Sequence, residues 1–224
     1  MQGIIFDFNG TMFFDGAKHD LAWRQYLEKK IGREISRKEF MEYAYGRTSA
    51  AILTHFLGQE LTEEERLSAA AEKEKFYRRL CLEDREALHL TSGLPVYLDS
   101  LKQAGLPVAI ATAANRDNME FYFQVFQLEK WFSWDNIVLD DGMLKGKPEP
   151  DVYIKAARLL HLPPEMCHVY EDSLSGVLAA KRAGAGKITA VYGDSNYEML
   201  RAQGLADCYI ENFVKSTMEM EVQS

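Results

Sequence analysis

Five short apolar runs, each stopped by turn or polar residues, set the strongest limit on how this chain can fold. They are Gly3-Ile4-Ile5-Phe6-Asp7-Phe8 before Asn9-Gly10, Leu106 to Ala111, Asn136 to Leu139, Cys167 to Tyr170 and Lys187 to Val191. Runs of this length with both faces apolar read as buried strands. Helical patterns lie between them. Pro95 to Gln103 places Val96, Leu98 and Leu101 ahead of a stop at Gly105, and Leu174, Val177 and Leu178 share a face ahead of a cap at Gly184. Strands alternating with helices predict an α/β fold with a Rossmann-like parallel sheet, connected right-handedly.

One connection breaks that rhythm. From Asp15 to Leu90 the periodicity is helical throughout and no strand pattern occurs. A parallel crossover needs far fewer residues than this. The reading is therefore an inserted all-helical domain over 15–90, within an α/β core made of 1–14 and 91–224. Charge divides the same way: the insert carries 14 Lys and Arg against 15 Asp and Glu, while the whole chain has 26 against 34, a net −8 over 224 residues. The acidic balance argues against nucleic acid as a partner. No apolar run reaches the ~20 residues of a membrane helix. The N-terminus lacks the basic start of a secretory signal. Cys81, Cys167 and Cys208 are sparse and unpaired in pattern, as in a reducing compartment, so a cytoplasmic setting is expected. The last dozen residues read as a loosely held tail, and the sequence assigns no oligomeric state.

Ligands of open α/β sheets bind beyond the carboxyl ends of the strands. The first run ends in Asp7, Asn9 and Thr11, the second in Thr112 followed by Asn115 and Arg116, and the fourth in Glu171-Asp172-Ser173. Past the third comes Lys145-Gly146-Lys147-Pro148. Hard carboxylate oxygens suit Mg²⁺, which keeps waters and takes one or two protein carboxylates together with substrate phosphate. A lysine adds a point charge for a phosphoryl group, and backbone N–H groups after Asp7 can cradle its oxygens. Lys145 reads as a solvated loop residue, Glu63-Glu64-Glu65 as a helix start after Thr62, and the aromatic set from Met119 to Phe126 as core. The five histidines show no zinc-ligand spacing.

Asp7-Phe8-Asn9-Gly10-Thr11, Thr112, Gly146-Lys147-Pro148-Glu149-Pro150-Asp151 and Glu171-Asp172-Ser173-Leu174-Ser175-Gly176 resemble, in order and spacing, the four motifs of the haloacid-dehalogenase-like hydrolases. The β-phosphoglucomutase/phosphoglycolate-phosphatase group, with a helical cap between the first two motifs, is the most similar. His19 and Trp23 resemble that group's pattern at the cap's start. The resemblance implies a Mg²⁺-dependent phosphohydrolase acting on a small phosphorylated metabolite, a sugar phosphate among the options. It makes Asp7 the nucleophile that forms an aspartyl-phosphate. Mg²⁺ is assigned to Asp7, Asp172 and the backbone carbonyl of Asn9, with Glu171 acting directly or through a water. Thr112 and Lys147 are assigned to the transferring phosphoryl group. Asn115, His19 and Arg47 are substrate-binding candidates, Arg47 because it follows Gly46 in a turn where the group often reads substrate. The insert becomes a mobile cap hinged near Asp15-Gly16 and Thr91-Ser92-Gly93, with Phe13 and Phe14 as an apolar wall over the site.

One departure bears on the reaction. The family's phosphatases and phosphomutases carry a second Asp two residues after the nucleophile, as acid and base; here the position is Asn9. A carboxamide does not exchange a proton near neutral pH, and losing a positioned acid/base typically costs ~10²–10⁴-fold. Asn9 as a positioning group for a good leaving group, and an acid supplied by another residue, are both open readings. So is a reaction other than monoester hydrolysis, since the family's dehalogenases lack this Asp too. The rivals to hydrolysis are a β-phosphoglucomutase-like phosphomutase, which needs the exchange in every half-reaction, and a weakened relative that only binds a phosphorylated ligand or a protein.

Overall fold

The computed structural model describes residues 1–44, 49–58, 60–139, 144–193 and 196–215. The chain divides into two compact units, Met1–Phe14 with His89–Ser224, and Asp15–Leu88. The first is built on six strands: β1 (Gly3–Phe6), β2 (Val108–Ala111), β3 (Ile137–Val138), β4 (Cys167–Glu171), β5 (Lys187–Val191) and β6 (Cys208–Ile210). All pairs are parallel, in the order β3-β2-β1-β4-β5-β6. The sheet is thus the expected Rossmann-like parallel one, with β6 added; its Cys-Tyr-Ile run is too short and too exposed to stand out in the sequence.

The strand order reverses at β1, which lies between β2 and β4. That reversal opens a crevice at the carboxyl edge, where α/β sheets bind ligands. β1 is buried along its length because helices cover both faces of a parallel sheet. The helices of this unit are α5 (Leu94–Gln103), α6 (Arg116–Phe126), α7 (Asp151–Leu159), α8 (Leu174–Ala183) and α9 (Tyr197–Gln203), numbered after the four of the other unit. On one side Ile5, Ala109 and Val169 pack with Val152, Tyr153, Ala156, Val177 and Ala180. The small alanines let α7 and α8 lie close on the strands. On the other side the packing is aromatic: Phe6 stacks on Tyr170 at 5.1 Å, and both meet Phe213.

Phe213, the first of the last dozen residues read as a loose tail, is instead held in the core, while 216–224 lie outside the described residues. Its ring is fully buried, and its N–H donates to the Ser92 carbonyl at 2.8 Å. Beside it, Thr91 donates from its N–H to the Met12 carbonyl and from its hydroxyl to the Thr11 carbonyl, each at 2.8 Å. The crossing at Thr91-Ser92-Gly93 is therefore pinned between the first motif and Phe213.

The second unit holds α1 (Gly16–Ile31), α2 (Arg37–Tyr43), α3 (Ser49–Leu57) and α4 (Glu63–Glu83). Among its described residues there is no strand. Tyr26, Leu27, Ile35, Phe40, Ile52, Leu53 and Phe56 form its core. The acidic start of α4 is a capping box: the Thr62 hydroxyl accepts from the Glu65 N–H, and the Glu65 carboxylate accepts from the Thr62 N–H. Cys81, Cys167 and Cys208 are free thiols. No helix among the described residues is long and apolar enough to cross a membrane.

Candidate active site

β1 ends at Phe6, and the backbone then turns sharply. The Phe8 carbonyl accepts from the N–H groups of Thr11, Met12 and Phe13, while the Gly10 N–H donates to the Phe13 carbonyl at 2.7 Å. This turn leaves Asp7 at the strand's end, buried but for 6% of its surface. Gly10 has φ of +80°, and a Cβ there would run into the Asp172 carboxylate. Only glycine satisfies both conditions. Gly176, in the first turn of α8, likewise has no room for a Cβ because the Glu171 carboxylate fills it.

Asp7, Glu171 and Asp172 offer carboxylate oxygens that all lie within 4.8 Å of one another. Lys147 joins two of them: its ammonium donates to Asp7 Oδ1 at 2.5 Å and to Glu171 Oε2 at 2.6 Å. It arrives on the loop before α7, where the Lys147–Pro148 peptide is cis. Glu171 is saturated with donors. Its Oε1 accepts from the N–H groups of Asp172 and Ser173 at 3.1 and 3.0 Å and from the Ser173 hydroxyl at 2.7 Å. Its Oε2 accepts from Lys147 and from the phenol of Tyr153. Ser173 also caps α8, accepting from the Gly176 N–H at 3.0 Å.

The charges follow from this arrangement. Burial works against the Lys147 ammonium, yet Asp7 and Glu171 hold its pKa well above the ordinary lysine range. Burial pushes the Glu171 carboxyl up, but Lys147, Tyr153 and Ser173 together bring it below the usual carboxylate range. Asp172 goes the other way: burial raises it well above that range, and the neighbouring Glu171 and Asp7 charges add to the effect. One lysine against three carboxylates leaves the cluster short of positive charge, and it is the Asp172 carboxyl whose ionisation the surroundings oppose. Hard oxygens gathered around uncompensated charge fit a divalent cation of the Mg²⁺ type.

The remaining residues singled out from the sequence divide as follows. Thr112 is buried at the end of β2, where its N–H donates to the Val138 carbonyl and its hydroxyl accepts from the Ala114 N–H at 3.0 Å. Asn9 is partly exposed, and its amide nitrogen donates to the Tyr122 phenol at 2.8 Å. Asn115 caps α6, its side chain accepting from the Asn118 N–H at 2.9 Å. His19 belongs to the helical unit. Its Nε2 lies 3.2 Å from Asp15 Oδ2, its Nδ1 3.0 Å from Lys73 Nζ, and its ring stacks on Tyr77 at 3.9 Å. Trp23 lies under the same ammonium, 5.5 Å from its ring. Arg47 lies outside the described residues.

Phe13 corrects one expectation. Read as part of a wall over the site, it is instead fully buried, packed against Tyr122 and Phe126. Its place in the turn below Asp7 turns the ring into the aromatic core, while Phe14 stays 43% exposed.

Three residues escaped the sequence reading. Tyr153 holds Glu171 and lies beneath the Lys147 ammonium, 5.1 Å from its ring centre. Tyr122 holds Asn9 and stacks on Phe8 at 4.3 Å. Asn196 donates to the Asp172 carbonyl at 2.9 Å and accepts from the Gly193 N–H, fastening the loop after β5 to the acidic turn. Only Tyr153 left a usable signal. It stands on the first turn of the helix that follows Lys147, two residues after Asp151, and so within reach of the lysine's own loop.

Comparison with known proteins agrees with this geometry. The family model of the haloacid dehalogenase-like hydrolases matches residues 1–184. Hexitol phosphatase A of Escherichia coli (strain K12) is 28% identical over 185 residues, covering 82% of this chain and 80% of that protein. Among solved structures, a family IA, variant 3 hydrolase of Entamoeba histolytica superimposes with a TM-score of 0.88 at 30% identity, covering 98% of this chain and 99% of that one. CbbY of Rhodobacter sphaeroides, solved in complex with xylulose-1,5-bisphosphate, gives 0.78 at 26% identity, covering 96% and 95%. With the four motifs at one sheet edge and named phosphatases among its relatives, the chain belongs to the haloacid dehalogenase-like hydrolases, on their phosphatase side.

Proposed function

We propose that this chain is a Mg²⁺-dependent phosphohydrolase of a small phosphorylated metabolite, working through an aspartyl-phosphate on Asp7. The observation that carries the reading is the Asp7–Lys147–Glu171 bridge beside Asp172. Lys147 holds Asp7 in place and offsets the repulsion between an anionic nucleophile and an anionic substrate. Thr112 and Lys147 would bind the phosphoryl oxygens. Asp7, Asp172 and the Asn9 backbone carbonyl would hold the cation, which when bound neutralises charge on the phosphoryl group. Because all five donors to Glu171 are already in place, Glu171 is read as an anchor for Lys147 and for the Asp172 turn, reaching the cation through water.

Sugar phosphates are the first substrates to test, since relatives of the chain include a hexitol phosphatase and a protein crystallised with a pentulose bisphosphate. The helical unit is read as a cap, with His19 and Arg47 as its candidates for selecting substrate. A cytoplasmic setting suits three free thiols. A phosphomutase needs proton exchange in both half-reactions, and Asn9 does not supply it. The test is phosphate release from a panel of sugar phosphates, acetyl phosphate and p-nitrophenyl phosphate, with Mg²⁺ and with a chelator. Release that requires Mg²⁺ and vanishes in Asp7→Asn is expected; release indifferent to both overturns the reading.

A further inference from the structure

We infer that Asn196 is a positioning residue of the proposed cation site, holding the main chain of Asp172 so that its carboxyl is presented beside Asp7. This rests on the Mg²⁺-dependent reading and deepens it, for Asn196 lies outside the four motifs. β4 and β5 are neighbours in parallel register, with Glu171 opposite Ala190. The turn that follows β4 and the loop that follows β5 therefore leave the sheet side by side. Asn196 uses that proximity. Its amide nitrogen donates to the Asp172 carbonyl at 2.9 Å, and its amide oxygen accepts from the Gly193 N–H at 2.9 Å. One carboxamide, engaged at both ends, ties the two segments together.

The bond to Asp172 replaces a local one. Asn196 is the N-cap residue of α9, and its carbonyl accepts from the Leu200 N–H at 3.0 Å. An asparagine in this place ordinarily turns its side-chain oxygen onto an N–H of the helix's first turn. Asn115 and Ser173 do so on α6 and α8. Asn196 makes no such cap to α9 and reaches back across its own loop instead. Leu200, 3% exposed, seats α9 in the core, so the donor to Asp172 is carried by a packed element.

Asp172 is restrained on both sides of its α-carbon. Its N–H donates to Glu171 Oε1 at 3.1 Å, and its carbonyl accepts from Asn196. Its carboxyl lies against Gly10, in the space that a Cβ there would need. N–H, carbonyl and side chain thus each meet a different segment: the end of β4, the start of α9 and the turn after β1. The direction of the carboxyl is set by these three contacts together. A hard cation that keeps part of its water shell gains from ligands that need no rearrangement, and partners that orient the ligands are worth about 10–100-fold in affinity or activity. Asn196 acts through the main chain of a proposed ligand and not on the cation.

The experiment compares the full-length parent with Asn196→Ala and Asn196→Asp. Titration calorimetry with Mg²⁺ alone gives the affinity, and Tm in a chelator reports on the fold. Asn196→Ala is expected to bind Mg²⁺ about 10-fold more weakly than the parent. Asn196→Asp keeps an acceptor for the Gly193 N–H but loses the donor to Asp172. Its added charge by itself favours Mg²⁺, so a comparable weakening there traces to the lost donor. In phosphate release from p-nitrophenyl phosphate both variants should need more Mg²⁺ for half-maximal rate, and excess Mg²⁺ should restore most of kcat. A general loss of stability would not respond to Mg²⁺ in this way. Parent-like Mg²⁺ affinity in Asn196→Asp overturns the inference, and so does a lower Tm in chelator with unchanged Mg²⁺ affinity in Asn196→Ala. If Asn196→Ala does not fold, Asn196→Asp alone decides. A parent that binds no Mg²⁺ overturns the underlying reading and the inference with it, whereas equal binding by parent and variants leaves that reading intact.

Discussion

Around Asp7 one lysine faces three carboxylates; around Asp15, in the helical unit, similar side chains meet in another ratio. Asp15 is 2% exposed, accepts from the Tyr77 phenol and lies 3.2 Å from the His19 ring nitrogen. Lys73, 5% exposed, donates to Glu74 at 2.6 Å and sits 3.0 Å from the other His19 nitrogen. Two carboxylates, one ammonium and an imidazole can satisfy one another there. Near Asp7 they cannot, and burial plus like charge drives the Asp172 carboxyl up. An internally paired cluster stabilises a fold, whereas one with surplus charge waits for a counter-ion.

The comparison breaks most visibly at Asp7, the proposed nucleophile. Asp7→Asn should lower phosphate release by at least about 10⁴-fold, roughly 5.5 kcal/mol of barrier, because an amide is not a competent nucleophile. Steady-state rates with p-nitrophenyl phosphate check this, and turnover close to the parent's would remove Asp7 from the chemistry. The matching change in the other cluster acts on stability. Asp15→Ala takes the acceptor from a buried phenol and from a histidine, and should cost about 2–4 kcal/mol in urea unfolding. A loss below about 0.5 kcal/mol would mean that the cluster is not structural.

Next comes the residue on which the two clusters should differ in sign. Asp172→Asn removes a buried carboxyl whose ionisation burial and two neighbouring carboxylates oppose. In the metal-free protein it should be stabilising by about 1–2 kcal/mol, opposite to Asp15→Ala. With the proposed Mg²⁺ site, the parent should gain Tm on adding Mg²⁺, and the same variant should lose most of that rise, because a hard, partly hydrated site has given up a carboxylate. If Asp172→Asn destabilises the metal-free chain and Mg²⁺ still raises its Tm, the carboxyl whose ionisation is opposed is not that of Asp172.

How much of this was legible in the sequence follows from how each residue is placed. Asp7, Thr112, Glu171 and Asp172 stand where apolar runs stop, and a parallel sheet brings strand ends together without further information. Lys147 was legible through its motif. Tyr122 was not, and Tyr153 only by its place just after the lysine's loop, because each lies on a helix whose rotation against the sheet decides which side chain faces the strand end. Tyr122 reads as one aromatic among several between Met119 and Phe126. Phe13 failed for the same reason in reverse: its apolarity was visible, but only the turn closed by the Phe8 carbonyl sends it into the core. β6 and Phe213 were missed because three half-buried residues and one aromatic give no periodicity.

The smallest expected effect concerns a polar group that the sheet keeps neutral. His168 lies on β4 three residues before Glu171, and alternation along the strand turns it to the opposite face. There it is buried against Tyr170 and bonded to the Thr189 hydroxyl at 2.7 Å. Burial first, then the Lys187 and N-terminal charges, lower its pKa to about 3. In the unfolded chain the imidazole titrates near the ordinary value of about 6.5. Between those two values the unfolded state takes up a proton that the folded state refuses, so stability is lost as the pH falls below about 6.5 and is unaffected above it. From pH 7.5 to 5.5 the loss from this one group should be about 1.4 kcal/mol. His168→Gln keeps a partner for Thr189 and cannot titrate, so it should unfold with a flatter dependence over that interval. Urea midpoints of the two proteins at both pH values, with the slope m unchanged, give the difference directly. Equal losses in parent and variant would show that His168 does accept a proton in the folded sheet, and that the face opposite Glu171 tolerates charge as well.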